Sequence, residues 1–356
     1  MENGVINVAR MMDPRAWEVH VACLTRRGAF AERLPNPANT VVLGKTSGFS
    51  LGAVRALRRH IARIQPAVIH THNLGPLIYA ALATLCGRAC PILHGEHSQL
   101  TDEERTPKRL RQRRWLYRCC RKVHTVSHGQ RDELLALGFS PKKITVIVNG
   151  VDTKRFSPGN RSIARVQLGL RADALVIGIV GRFGPFKRHA ALIEAFERLA
   201  DEMPALELLI VGGGGPEADH VANQVAHSAH RDRIHLAGFQ NEPLEFYRTM
   251  DLLAVPSINE GLSNAVLEAM ACGVPVLAHA VCGNAEVVTH GADGFVARLD
   301  TTVELCAQLK LALKDPQRLQ TCGVNARHKI TEGFSLENMV AGYAALYREI
   351  TGDELR

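Results

Sequence analysis

Apolar and polar positions along this chain follow two periods in turn. Short β-branched runs, EVHVACL (18–24), AVIHTH (67–72), CPILHG (90–95), KVHTVS (122–127) and KITVIVNG (143–150), read as strands. Between them LGAVRALRRHIARIQ (51–65) spaces its apolar residues helically, so this half repeats a βα unit and predicts a parallel sheet. The segment 150–170, rich in Gly, Pro, Ser and charge, marks a domain boundary. Beyond it the alternation restarts, with strands at 174–181, 206–214, 233–239, 252–257 and 274–280 and helices at 189–203, 220–228, 243–250 and 264–271. The tail 335–352 opens on a Ser335 N-cap and aligns Met339, Tyr343, Leu346, Tyr347 and Ile350 on one face. The predicted organisation is α/β: two Rossmann-like, doubly wound domains at 1–165 and 166–334, and a helix in 335–356 crossing back to the first domain. Ligands of such sheets gather beyond the carboxyl ends of the strands, so the expected site is a central cleft.

Composition narrows this picture. At 356 residues and 46% apolar the chain can bury two cores, and 5% aromatics suits helix-covered parallel sheets better than an all-β sandwich. A net charge of +8 fits a phosphate-bearing substrate, an anionic membrane or nucleic acid without choosing among them. Nine cysteines, an odd number with no CxxC pair, read as reduced thiols rather than a disulfide framework or zinc site. No apolar run reaches the roughly 20 residues that cross a bilayer, and the first residues do not form a signal peptide, so the expected location is cytoplasmic. TPKRLRQRRWLYRCCRK (106–122) reads as a basic amphipathic helix able to lie on the anionic inner face of a membrane. No nucleic-acid module is present, and no nucleic acid is expected as partner.

The strongest chemistry lies in PSINEGLSNAVLEAMACGVPVLA (256–278), where a strand ends, a turn follows and a helix begins near Ser263 or Asn264. Backbone N–H groups at Gly261, Leu262, Ser263 and Asn264, with the positive end of the helix dipole, favour a diphosphate. Glu260 precedes the helix and Glu268 lies one turn inside it; each carboxylate suits a pair of vicinal hydroxyls. In GIVGRFGPFK (178–187), Gly181-Arg182 closes a strand and Lys187 precedes the next helix, giving two cations for a departing diphosphate. The following strand closes on Gly212–Gly215 without an acidic residue, which argues against an NAD site; that bare backbone suits a nucleobase or a simple turn. In ILHGEH (92–97), His94, Glu96 and His97 end a strand. They, like His70 and His72, lack the shared helical face of a zinc pair, and no metal is expected.

These residues resemble the large retaining glycosyltransferase family of the GT-B type called group 1 or family 4, from about Glu2 to the end, with PSINEGLSNAVLEAMACGVPV the most specific piece. MENGVIN, ILHGEH and EGLSN are similar to sugar transferases of bacterial exopolysaccharide and protein-sorting gene clusters. The resemblance implies a nucleotide-diphosphate sugar as donor, a glycan or lipid-linked acceptor, retention of configuration, and no cofactor. It implies Arg182 and Lys187 on the phosphates, Glu260 on the donor sugar, Glu268 on the ribose, Leu262 and Ser263 amides on the diphosphate, and His94 near the transferred sugar. Glu96 and His97 would meet acceptor. An epimerase of the same architecture, or an inactive sugar-nucleotide-binding protein, are the alternatives. Family members open with a strand and a Gly-Gly loop ahead of the equivalents of Glu2-Asn3-Gly4, so a central strand is expected to be missing. About 15–20 added upstream codons should then improve soluble yield and turnover.

Overall fold

The computed structural model describes residues 2–352. They form two compact units, one running to Asn149 and resuming at Leu336, the other Gly150–Ser335.

The first unit contains α1 (Glu2–Met11), β1 (Val21–Cys23), β2 (Thr40–Val42), α2 (Leu51–Ile64), β3 (Ile69–His72), α3 (Leu74–Ala83), β4 (Ile92–Glu96), α4 (Pro107–Cys119), β5 (Lys122–Thr125), α5 (His128–Ala136) and β6 (Ile144–Val146). Local chemistry sets the helix ends: Ser50 caps α2 by accepting from Ala53 N–H at 3.2 Å, and Ser127 caps α5 through Gln130 N–H. All pairing is parallel, but it falls into two sheets, a four-stranded β3-β4-β5-β6 and a separate β1-β2 pair. Among the described residues no strand joins them, because the residues ahead of β1 form a helix. The apolar side chains accordingly divide into several clusters, one under α3, α4 and α5, another under the C-terminal helix Leu336–Thr351.

The second unit contains α6 (Arg161–Gln167), β7 (Leu175–Val180), α7 (His189–Ala200), β8 (Leu206–Val211), α8 (Ala218–His227), β9 (Ile234–Gly238), α9 (Leu244–Thr249), β10 (Leu252–Val255), α10 (Asn264–Ala271), β11 (Val276–His279), α11 (Cys282–Val287), β12 (Phe295–Ala297), α12 (Thr302–Leu313) and α13 (Pro316–Gly333); the C-terminal helix is α14. Its six-stranded sheet has the order β12-β11-β10-β7-β8-β9. β8 and β10 are buried along their whole length, the mark of strands covered on both faces, and one continuous core joins β7, β8, α7, α12 and α13.

The units divide after Asn149, earlier than the expected 165/166 boundary. The reason is Arg165 on α6: buried, it pairs with Asp251 at 2.6 Å and donates to Thr249 C=O at 3.0 Å, while Arg327 of α13 binds Phe156 and Thr153 carbonyls. The Gly- and Pro-rich stretch is thus an integral part of the second unit. The third expected segment, the C-terminal helix, belongs with the first unit, burying Met339, Val340, Tyr343, Leu346 and Ile350. No helix among the described residues is long and apolar enough to cross a membrane. The eight described cysteines are all free, and burial pushes the Cys120 and Cys272 thiols up to about 12.

Candidate active site

In the second unit the winding reverses between β7 and β10, which lie side by side although two strands, β8 and β9, and their helices separate them in sequence. At such a switch point the loops leaving two adjacent strands part to opposite faces and open a crevice beyond their carboxyl ends. The two sequence motifs occupy those loops. Gly181 to Lys187 leaves β7, Pro256 to Ser263 leaves β10, and Ile258 N–H donates to Phe186 C=O at 3.0 Å to tie them together.

Lys187 ends a 3-10 turn, Pro185–Lys187, and folds back so that a Cβ on Gly181 would lie 3.6 Å from its Cε. Its ammonium pairs with Glu260, whose side chain is only 13% exposed. The next residue, Arg188, holds left-handed backbone at φ 58°, anchored by its guanidinium on the carbonyls of Leu299 and Asp300. Non-glycine residues held there carry local strain, common in loops that position functional groups. Arg182 is exposed and no ion pair engages it among the described residues. Gly261, Leu262 and Ser263 are buried in the turn, and Gly283 N–H donates to Gly261 C=O at 2.9 Å. The first bond of α10 runs from Val266 N–H to Ser263 C=O, so the amides of Asn264 and Ala265 precede the helical ladder, as an anion site requires.

Glu268 lies one turn into α10 and accepts the Tyr247 hydroxyl at 2.7 Å. Burial raises its pKa to about 7, with the Tyr247 hydrogen bond and Arg155 opposing that rise. The glycines after β8 have a packing role: a Cβ on Gly212 would lie 1.8 Å from Gly181 O, and one on Gly215 2.1 Å from Phe183 O. Close backbone approach to the β7 loop accounts for both.

Two buried polar residues beside these loops escaped the sequence reading. His189, 2% exposed, follows Arg188 with both ring nitrogens unpartnered, and burial, with Lys187 nearby, lowers its pKa to about 4. Asn284, fully buried, follows Gly283 with both amide atoms unpartnered. Their signal was faint, a lone His at the start of α7 and a lone Asn in the short helix α11.

The ILHGEH residues lie in the first unit and are arranged differently from expectation. His94 is mid-strand and fully buried, with Nδ1 2.9 Å from Thr71 Oγ1 and Nε2 3.1 Å from Glu96. It is sealed in a core network and does not face an open strand end. Glu96 is buried as well, bound by Arg113 and the Tyr117 hydroxyl. Burial alone would raise its pKa, but His94, Arg113 and Tyr117 together outweigh that and hold it at about 2. These three contacts all fall on Oε1, so that oxygen is committed to the fold. His97 is half-buried on the opposite face of β4, where it meets His72 at 2.7 Å. The ligand atoms of His70, His72 and His124 converge within 4.8 Å of one another across strands, so the lack of a shared helical face does not exclude a metal there. On α4, Leu110, Arg113, Leu116 and Tyr117 are buried, so the apolar face of residues 106–122 is spent inside the unit.

A doubly wound sheet with a turn and helix start at its switch point, in a chain that carries a second parallel α/β unit, is the architecture of the GT-B class. Residues 160–329 match the family model "Glycosyl transferases group 1" and residues 1–155 match "Glycosyltransferase Family 4". The chain belongs to this glycosyltransferase family. It is 29% identical to a D-inositol 3-phosphate glycosyltransferase of Kribbella flavida over 74% of this chain and 66% of the relative. It is 28% identical to an N-acetyl-alpha-D-glucosaminyl L-malate synthase of Bacillus anthracis over 65% and 60%. The chain spans between 49% and 66% of the length of the curated relatives it matches. In fold it is similar to the crystal structure of Anabaena HepE with UDP-glucose, at a TM-score of 0.85, 24% identity, and coverage of 98% and 95%. Sucrose-phosphate synthase of Thermosynechococcus elongatus follows at 0.76, 24% identity, and coverage of 93% and 81%.

Proposed function

We propose that the protein transfers a sugar from a nucleoside diphosphate sugar to a glycan or lipid-linked acceptor, with retention of anomeric configuration and without a cofactor or a metal at the phosphates. The observation that carries this reading is the meeting of Lys187, Glu260 and the start of α10 at the switch point. In the free protein Lys187 and Glu260 neutralise each other; donor binding exchanges that contact for two others, Lys187 to the diphosphate and Glu260 to the sugar hydroxyls. Arg182, exposed beside them, grips the phosphate bidentately. As the glycosidic bond breaks, negative charge grows on the leaving phosphate, and fixed cations and the amides of Leu262, Ser263 and Asn264 stabilise it. The leaving phosphate takes the acceptor's proton on the face it departs from, which gives retention. The HepE complex with UDP-glucose supports this donor class.

Cell-surface or exopolysaccharide synthesis in the cytoplasm, at the inner face of the membrane, is the setting we infer. Its support is the outer face of α4, where Lys108, Arg109, Arg111, Arg114 and Arg118 are exposed around a 48% exposed Trp115. Because the apolar face of α4 is buried, such contact is electrostatic and weakens with salt.

A panel of UDP-, GDP- and ADP-sugars, read by thermal shift and donor hydrolysis, identifies the donor. With that donor, Lys187→Ala and Glu260→Ala each lose roughly 2–4 kcal/mol of transition-state stabilisation. Near-normal rates in both variants refute the assignment, and NMR of the product's anomeric centre decides retention.

A further inference from the structure

Four histidines of the first unit surround one point on its sheet. β3 carries His70 and His72 two residues apart, hence on one face. In register, His72 lies opposite Gly95 of β4, and Gly95 opposite His124 of β5, so His72 and His124 flank a glycine in a single cross-strand row. His97, two residues beyond Gly95, reaches the same face. The glycine leaves the floor of this ring open: a Cβ there would lie 2.5 Å from His124 Nε2 and 2.9 Å from His97 Nε2. The imidazoles touch in pairs, His70 Nε2 to His124 Nε2 at 2.9 Å and His72 Nδ1 to His97 Nε2 at 2.7 Å. Without a metal each pair is an N–H···N hydrogen bond between two rings, and a bound ion would take the place of both.

We propose that His70, His72 and His124, joined by His97, form a binding site for a divalent transition-metal ion of the zinc class.

Four nitrogens on a tetrahedral zinc at about 2.0–2.1 Å stand roughly 3.3 Å apart. The ligand atoms of the first three already lie within 4.8 Å of one another, so small side-chain rotations complete the shell. All the ligands are imidazole nitrogens, a set that suits zinc, copper or nickel and not magnesium or calcium. The outer support is present too: His70 Nδ1 lies 2.8 Å from the Tyr347 hydroxyl, and Tyr343 packs its ring 5.1 Å from His124. His70 and His72 are only partly buried, which leaves a way in. The ion would be structural, joining β3, β4 and β5 under α14. It stands apart from the phosphate chemistry proposed above for the second unit, and its test does not depend on that chemistry.

The test uses the full-length protein without an added polyhistidine tag, stripped with a chelator and then dialysed against zinc or cobalt(II). Elemental analysis should find one ion per chain, and cobalt should give visible absorption of tetrahedral intensity. His72→Asn and His124→Asn should each weaken zinc binding at least about 100-fold, and Gly95→Ala should weaken it with all four imidazoles retained. His220→Gln, an exposed histidine elsewhere, should bind as the parent does. Sub-stoichiometric uptake by the parent overturns the proposal, as does unchanged uptake by the Asn variants when circular dichroism shows them folded. If those variants do not fold, the parent's cobalt spectrum decides: tetrahedral bands support the site and their absence overturns it.

Discussion

At the residue scale, charge placement separates groups that hold the fold from groups left for a ligand. Glu96 pairs with Arg113 and His94 in the interior, and Arg165 pairs with Asp251 there. The Lys187–Glu260 pair differs, being partly exposed on the lysine side at 30%. Because the lysine keeps contact with water, the half-buried pair contributes on the order of 1 kcal/mol to stability. Lys187→Ala should therefore lower unfolding free energy by under about 1 kcal/mol in urea titration while removing most donor turnover; a large stability loss would make the pair structural. Glu268 carries a second prediction. Its pKa in the folded protein is about 7 against an ordinary 4.5, so the native state holds a proton that the unfolded chain has released. The associated stability is complete below about pH 4.5 and is lost as pH rises through 7. Glu268→Gln keeps an acceptor for Tyr247 and removes the cost of burying charge. The variant should gain on the parent progressively from pH 5 to pH 8, reaching about 2 kcal/mol. A difference in melting that does not change with pH would refute this.

At the element scale, backbone contact between loops shapes the switch-point crevice as much as side chains do. A Cβ on Gly283 would stand 2.1 Å from Gly261 O and 2.8 Å from Leu262 Cβ, so Gly283→Ala must displace the turn that carries Glu260. It should cost about 1–3 kcal/mol in chemical denaturation and weaken nucleoside diphosphate binding in calorimetry. Gly333→Ala, with open space around it, should do neither. The same distinction explains which elements the sequence made legible. Buried parallel strands are continuous apolar runs, so LVIGIV and LELLIV announced themselves, and Asn264–Ala271 followed from its preceding turn. The helix α13 did not, because its inner face includes Gly323 and Ala326, and a Cβ on Gly323 would meet Gly273 O at 2.2 Å. Periodicity read on large apolar residues misses a face built from small ones. The three-residue β2 was too short to register. The loop residues 181–187 and 256–263 were legible because each motif is contiguous, whereas the histidine ring is assembled by register across three strands, information no single segment contains.

At the scale of the whole molecule, the two units should answer to different ligands. The second unit has a six-stranded sheet and a continuous core through α7, α12 and α13; the first divides its strands between two sheets and its apolar residues among smaller clusters. The first should unfold at lower temperature or denaturant. Both tryptophans, Trp17 and Trp115, lie in it, and Trp17 packs 5.4 Å from the Tyr347 ring of α14. Tryptophan fluorescence therefore follows the first unit alone, and far-UV circular dichroism follows both. Heating should give a fluorescence transition that precedes the last part of the dichroism change. A nucleoside diphosphate at about 100 times its Kd stabilises the unit that binds it by about 2.7 kcal/mol. It should move the later, dichroism-only step upward and leave fluorescence where it was. Zinc should do the reverse, raising the fluorescence step through the histidines beside Tyr347. A nucleotide that shifts the fluorescence transition and spares the later one would place its binding in the first unit and overturn the assignment of the donor to the switch point of the second.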